Sequence, residues 1–236
     1  MDKHISTQFD SDLRAVSTRV LEMGGLVEAQ MRLAIEALSL MNADVAQKAM
    51  ETEAAVNQFE IDIDRELSGI IARRQPTARD LRLLMAISRI TANLERIGDE
   101  AKRMAARVQS ISQAQSLQQT AQRLPSNDLR TASDLAAKQL RKALNAFARL
   151  DVTDCLNVIK EDDLIDQEWT GFVRGLITYM MEDPRTISAS LDLLFIAKAI
   201  ERVGDHAKNI AESVIYIVKG EDVRHATMAE IEEAVR

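Results

Sequence analysis

Apolar residues recur along most of this chain at intervals of three, four or seven positions, the spacing of helices that bury one face. The first such stretch runs from about Ser6 or Ser11 to Met41, with Leu13, Val16, Val20, Val27, Met31, Ala34, Ile35 and Leu38 on its stripe. Gly24-Gly25 falls inside it, which predicts a bend or the close approach of another helix. A second helix is expected from after Asn42 to Arg74, built on Val45, Ala49, Val56, Phe59, Ile63, Leu67 and Ile70. Pro76 stops it, because the residue before a proline is pushed out of the α region. The third opens at Pro76-Thr77-Ala78-Arg79-Asp80 and carries Leu84, Ile87, Ile90, Leu94, Ile97, Ala101, Met104 and Val108 on one side.

The pattern then lapses and resumes. Residues 113–127 are rich in Gln and Ser and end near Leu124-Pro125, so they read as a linker with room for a short helix. A fourth helix is expected from Asp128 to Leu150, a fifth from Val152 to Met181, and a sixth after Asp183-Pro184. The sixth has the most regular stripe: Leu193, Ile196, Ile200, Val203, Ala207, Ile210, Val214 and Ile217. Its spacings of three and four are those of left-handed helix packing. It ends near Lys219-Gly220, and residues 221–236 read as a polar tail, briefly helical or frayed. The expected fold is all-α: two tandem antiparallel three-helix bundles, residues 1–112 and 128–220, related by internal pseudo-symmetry.

A repeated segment supports that division. Glu95-Arg96-Ile97-Gly98-Asp99 on the third helix returns as Glu201-Arg202-Val203-Gly204-Asp205 on the sixth, with one Ile→Val change. In each copy the two acids stand at i and i+4, on adjacent turns of one face. Helical geometry turns them away from the apolar stripe, whereas the glycine falls beside it and predicts a close helix contact. Aligning the halves exposes a further pair: Glu53 and Asn57 on the second helix correspond to Asp162 and Asp166 on the fifth. Neighbouring helices lie about 8–10 Å apart, so each half can aim four oxygen side chains at one surface patch. Such donors suit hard cations such as magnesium, manganese or ferric iron.

The competing reading is an ordinary solvated surface, with Asp99 paired to Lys102 and Arg103, Asp205 to Lys208, and Glu201 to Lys198. Glu161 and Asp163 are read as neighbours of the second patch, Arg96 and Arg202 as outer-face residues, and His206 as a surface histidine. Trp169, Phe172 and Tyr179 are spaced as core residues.

Composition agrees with helix and narrows the chemistry. Aromatics make up 3% of the 236 residues, with 3 prolines and 8 glycines. A net charge of −7 argues against nucleic acid as a partner. The single cysteine, Cys155, excludes an intramolecular disulfide and reads as a small buried residue. No secretory signal is apparent at the N-terminus and no uncharged apolar run reaches the ~18 residues of a membrane span, so a cytoplasmic protein without direct membrane insertion is expected. Glu-x-x-His di-iron motifs, phosphate-binding glycine loops, zinc clusters and G-x-S-x-G elbows are all missing. A non-enzymatic role is therefore expected, the alternative being a metal-dependent helical-bundle enzyme built on these carboxylates.

Several segments, taken in order, resemble the PhoU family of accessory regulators of bacterial phosphate-specific transport. They are Gln75-Pro76-Thr77-Ala78-Arg79-Asp80-Leu81-Arg82, Leu94-Glu95-Arg96-Ile97-Gly98-Asp99-Glu100, Tyr179-Met180-Met181-Glu182-Asp183, Ile200-Glu201-Arg202-Val203-Gly204-Asp205-His206 and Val218-Lys219-Gly220-Glu221-Asp222-Val223-Arg224-His225. The resemblance implies two pseudo-symmetric three-helix bundles with a surface metal cluster on each. Its ligands would be Glu53, Asn57, Glu95 and Asp99 in the first, and Asp162, Asp166, Glu201 and Asp205 in the second, holding iron, manganese, magnesium or zinc. Asn57 departs from the acidic pattern and makes the first cluster the weaker of the two. The resemblance further implies a homodimer that links the transporter ATPase PstB to the sensor kinase PhoR, peripheral to the inner membrane through these partners. In phosphate plenty it would restrain uptake and keep the phosphate-starvation regulon off.

Overall fold

A computed structural model describes residues 7–113, 115–121 and 126–236. The first half contains α1 (Thr7–Leu40), α2 (Ala43–Glu51), α3 (Glu53–Arg74) and α4 (Ala78–Gln113). After α5 (Gln115–Ala121), the second half contains α6 (Ser126–Arg149), α7 (Val152–Glu182) and α8 (Ile187–Lys219), followed by α9 (Met228–Val235). All the regular elements among the described residues are helical.

Local chemistry sets the boundaries. Asn42 Oδ1 accepts from the backbone N–H of Asp44 and Val45 and so caps α2, and Asp151 caps α7 through the N–H of Thr153 and Asp154. Gly220 ends α8 at φ 81°, in the left-handed region. The expected second helix is divided at Thr52 into α2 and α3. Thr52 Oγ1 donates to the Lys48 carbonyl at 3.1 Å, a back-bond of the kind that bends helices.

In the first bundle α1, the α2/α3 pair and α4 pack together; α6, α7 and α8 form the second. The bundles are fused rather than strung apart. Helices α4 and α8 run antiparallel along each other, joined by Arg107–Asp192, Glu100–Arg202 and Asn93–His206, and Arg89 of α4 reaches Asp222 just beyond α8. Helix α1 meets α6 where Gly24 faces Leu144: a Cβ at Gly24 would lie 2.6 Å from Leu144 Cδ2. Of the two glycines, Gly24 marks the close approach, whereas a Cβ at Gly25 meets nothing. One continuous apolar core results.

Of the two alternatives for residues 221–236, the short helix is the one that forms, as α9, and it is docked rather than frayed: Val223 and Ile231 are buried, Thr227 and Glu230 form a capping box for α9, and Lys160 pairs with Glu232 at 2.5 Å. Of the three aromatics expected in the core, Phe172 is buried and Trp169 half-buried, but Tyr179 is exposed. It lies in the last turn of α7, near the end of the bundle. Part of the expected linker forms α5, with Ala121 buried against the core; residues 114 and 122–125 lie outside the described residues.

Candidate metal centre

Each acidic patch is assembled from three helices. In the first half, α3 supplies Glu53 and Asn57, α4 supplies Glu95 and Asp99, and α1 adds Gln30. One carboxylate oxygen from each of Glu53, Glu95 and Asp99 can lie within 4.8 Å of the others. Asn57 Oδ1 is buried without a hydrogen-bond partner. Burial raises the pKa of Glu53 and of Glu95, and Asp99 pushes both further up. Glu60, three residues beyond Asn57, joins the same field: burial raises its pKa first, Asp64 and Asp99 add to this, and Arg96 opposes them. A carboxylate at Glu60 thus restores negative charge near the position where Asn57 lacks it.

The second half repeats the arrangement with Asp162 and Asp166 on α7, Glu201 and Asp205 on α8, and Gln139 on α6. Asp205 is pushed up to about 6, first by burial and then by Glu201, Asp162 and Asp166. Asp166 is raised by burial, Asp162 and Glu201. Lysines partly neutralise this patch: Lys208 Nζ reaches Asp162 Oδ2 at 3.1 Å, and Lys198 reaches Glu201 at 2.6 Å. By the convergence of donor atoms, the first patch is the better gathered despite Asn57.

The acids differ in how far they face outward. Glu53 and Asp162 are buried and Glu95, Asp99 and Glu201 half-buried, whereas Asp166 and Asp205 are exposed, as their helical phase suggests for Asp205. The packing of α4 on α8 turns both Glu-Arg-x-Gly-Asp segments toward the junction of the bundles. Glu95, Asp99 and Asp205 accordingly line one shared cavity of about 1100 Å³, together with Glu100, Arg202, His206 and Glu212. Segment 221–236 closes one side of it through Arg224, His225 and Met228.

Some expected surface pairs form differently. Asp99 does meet Arg103, at 3.6 Å, but Lys102 reaches Glu53 and Lys208 reaches Asp162, across to the neighbouring helix. Glu161 pairs with Lys142. Arg202 joins the buried Glu100 across the halves at 3.0 Å. His206 is half-buried, and its Nδ1 lies 3.0 Å from Asn93 Oδ1. Burial, reinforced by Arg96 and Arg202, pushes the His206 pKa down to about 4.

Both glycines of the repeated segment serve a close approach. A Cβ at Gly98 would sit 3.0 Å from Gln30 Oε1 and 3.2 Å from Val56 Cγ1; one at Gly204 would sit 2.9 Å from Ile165 Cδ1 and 3.1 Å from Gln139 Oε1. Gln30, Gln139, Glu60 and Glu100 are absent from the sequence-derived site. The glutamines leave a trace all the same, as long polar residues on otherwise apolar stripes: Gln30 between Val27 and Met31, Gln139 between Ala136 and Leu140.

An oxygen-only set with unpartnered amide oxygens beside mutually repelling carboxylates fits a hard cation. A helical unit present twice, each copy keeping its own acidic patch, is the class of protein that this architecture defines. The PhoU domain profile matches residues 20–108 and 129–214, and the chain belongs to the PhoU family. It is 49% identical over 225 residues to a phosphate-specific transport system accessory protein PhoU homolog of Burkholderia sp, covering 95% of this chain and 94% of that one. With the PhoU accessory protein of Escherichia coli K12 it shares 42% identity over 235 residues, covering 99% and 94%. The fold is similar to the crystal structure of PhoU from Pseudomonas aeruginosa, with TM-score 0.84, 42% identity, and 90% of this chain and 100% of that one covered. It is also similar to the phosphate transport system regulatory protein PhoU from Streptococcus pneumoniae, with TM-score 0.83, 26% identity, and 91% and 99% covered.

Proposed function

We propose that this chain is a non-enzymatic negative regulator of phosphate uptake and of the phosphate-starvation regulon, working as an adaptor between the phosphate transporter and its sensor kinase. The observation that carries this reading is near full-length similarity to accessory proteins of phosphate-specific transport, at up to 49% identity among the relatives described above. An ATPase of the PstB kind and a kinase of the PhoR kind are its partners in this proposal. No helix among the described residues is long and apolar enough to cross a membrane, so contact with a membrane transporter would run through these partners.

The two patches bind divalent or ferric cations in this reading. Glu53, Asn57, Glu95 and Asp99 would hold them in the first, and Asp162, Asp166, Glu201 and Asp205 in the second. A bound cation would neutralise acids that repel one another at the junction of the bundles. The patches would thereby stiffen the surface where the two halves meet.

Deleting the gene tests the role. Derepression of an alkaline phosphatase reporter in high phosphate is expected, with repression restored by the wild-type gene; a deletion strain that still represses refutes the regulatory reading. For the cations, elemental analysis of the purified protein is expected to find bound metal, reduced in a variant carrying Glu201→Ala and Asp205→Ala. Equal metal content in both would remove the second patch from the proposal.

A further inference from the structure

We propose that Gln30 and Gln139 are positioning residues of the two cation patches, each fixing the acid contributed by the second helix of its bundle. This rests on the reading of the patches as cation sites. Gln30 and Gln139 are 0% and 2% exposed, so neither amide reaches bulk solvent. Gln30 Nε2 donates to Glu53 Oε2 at 3.1 Å; Gln139 Nε2 donates to Asp162 Oδ1 at 3.2 Å and to the Val158 carbonyl at 3.1 Å. These neighbours accept only, so the NH2 end of each amide must face the acid.

That leaves both Oε1 atoms buried and without a partner, each directed at the glycine of the repeated segment. A buried carbonyl without a hydrogen bond is costly. Yet the same orphan stands at corresponding positions of the two halves. Gly98 and Gly204 leave space for these oxygens where an alanine Cβ would crowd them. The triplet of amide, acid and glycine is therefore one device used twice: the glycine admits the amide, and the amide fixes one carboxylate oxygen. In the first half, the carboxylate so held belongs to the convergent Glu53, Glu95 and Asp99 set. Groups that hold a metal ligand in this way are typically worth ~10–100-fold in affinity.

The test is calorimetric titration with manganese(II) chloride of the full chain carrying Glu201→Ala and Asp205→Ala, which leaves the first patch to be measured alone. Adding Gln30→Met, close in shape but with no donor, is expected to lower the manganese affinity ~10–100-fold, with a thermal melt without metal confirming that the variant is folded. Gln30→Glu, which replaces the donor with a second carboxylate, is also expected to lose affinity. Tighter binding by Gln30→Glu would overturn the proposal by making the side chain a direct ligand. Gly98→Ala should weaken binding when Gln30 is present and add no further loss beside Gln30→Met. Unchanged affinity in Gln30→Met, or an equal Gly98→Ala effect in both backgrounds, refutes positioning. Absence of manganese binding by the unmutated chain refutes instead the cation reading on which it rests.

Discussion

The Glu100 carboxylate on α4 accepts a hydrogen bond from Arg202 of α8 at 3.0 Å, so a residue adjoining the first repeated segment is tied to the middle of the second. Glu100 is almost fully buried, and Arg103 reaches the same oxygen at 2.5 Å. Glu100→Gln keeps the shape and removes the charge. Charge-assisted bonds contribute more than neutral ones, but both arginines are half-exposed and screened, so a loss of about 1–2 kcal/mol is expected. In a protein of this size that lowers the melting temperature by ~2–4 °C per kcal/mol. Calorimetry that finds no shift would show that the Glu100–Arg202 link adds nothing to the joining of the bundles.

Gly24 and Gly25 are predicted to respond to alanine with opposite signs. In mid-helix, either replacement gains ~0.5–1 kcal/mol of backbone preference. At Gly25 nothing opposes the gain, so Gly25→Ala should stabilise. At Gly24 the new methyl would sit 2.6 Å from Leu144 Cδ2, and overpacking costs ~1–3 kcal/mol. Gly24→Ala should therefore destabilise on balance by about 1 kcal/mol. Chemical denaturation of the two variants checks the pair, and stabilisation by both would mean that α1 and α6 have room to part.

The fold was legible in the sequence because its stripes are long and regular and its breaks are chemical. Asn42, Pro76 and Gly220 stand at or next to the ends of helices, as their types predict. The split at Thr52 was not legible, since threonine is tolerated within helices and its hydroxyl's bond to the Lys48 carbonyl leaves no mark in the sequence. The eight acids and amides of the two patches were readable from duplication and i, i+4 spacing. Their facing was not: helical phase placed Glu95 and Asp99 away from their own bundle's core, but α8 packs over that side of α4 and turns it into a cavity wall. Gln30 and Gln139 escaped because a lone glutamine on an apolar stripe gains meaning only when a neighbouring helix brings an acid to it.

Glu212 gives the chain a pH-dependent stability. The residue is buried at the edge of the shared cavity, and its pKa is pushed up to about 7, chiefly by burial. Lys208 and Arg224 pull it down, while Asp222 and Asp162 push it up. Its folded pKa lies above the usual glutamate value, so protonation favours the folded state. The stabilisation is full below about pH 4.5 and is lost as pH rises through about 7. Glu212→Gln stays neutral and should be more stable than wild type at pH 8 by something on the order of 1–3 kcal/mol. The difference should shrink toward zero at pH 5. Urea denaturation of both proteins at the two pH values measures it; a difference independent of pH would trace the effect to packing rather than titration.

If the second patch holds a cation, as proposed above, Asp205 is expected to link its binding to proton release. Its carboxyl is raised to about 6 by burial and by Glu201, Asp162 and Asp166, so the charged form opposes folding. The stability that Asp205 contributes is present below about pH 3.8 and is lost as pH rises through about 6. A cation reverses this balance, because it binds the ionised acids and must displace their protons. Manganese affinity at the second patch is therefore expected to climb as pH rises from about 5 to 7 and then level off. Asp205→Asn removes both the repulsion and a ligand. Without metal it should melt higher than wild type at pH 7.5, and with saturating manganese the wild type should recover the difference while the variant gains less. Thermal melts of both proteins with and without manganese decide the matter. A variant that is less stable than wild type without metal would mean that Asp205 is held by favourable contacts, and the patch would then be a solvated surface rather than a site kept under electrostatic tension for a cation.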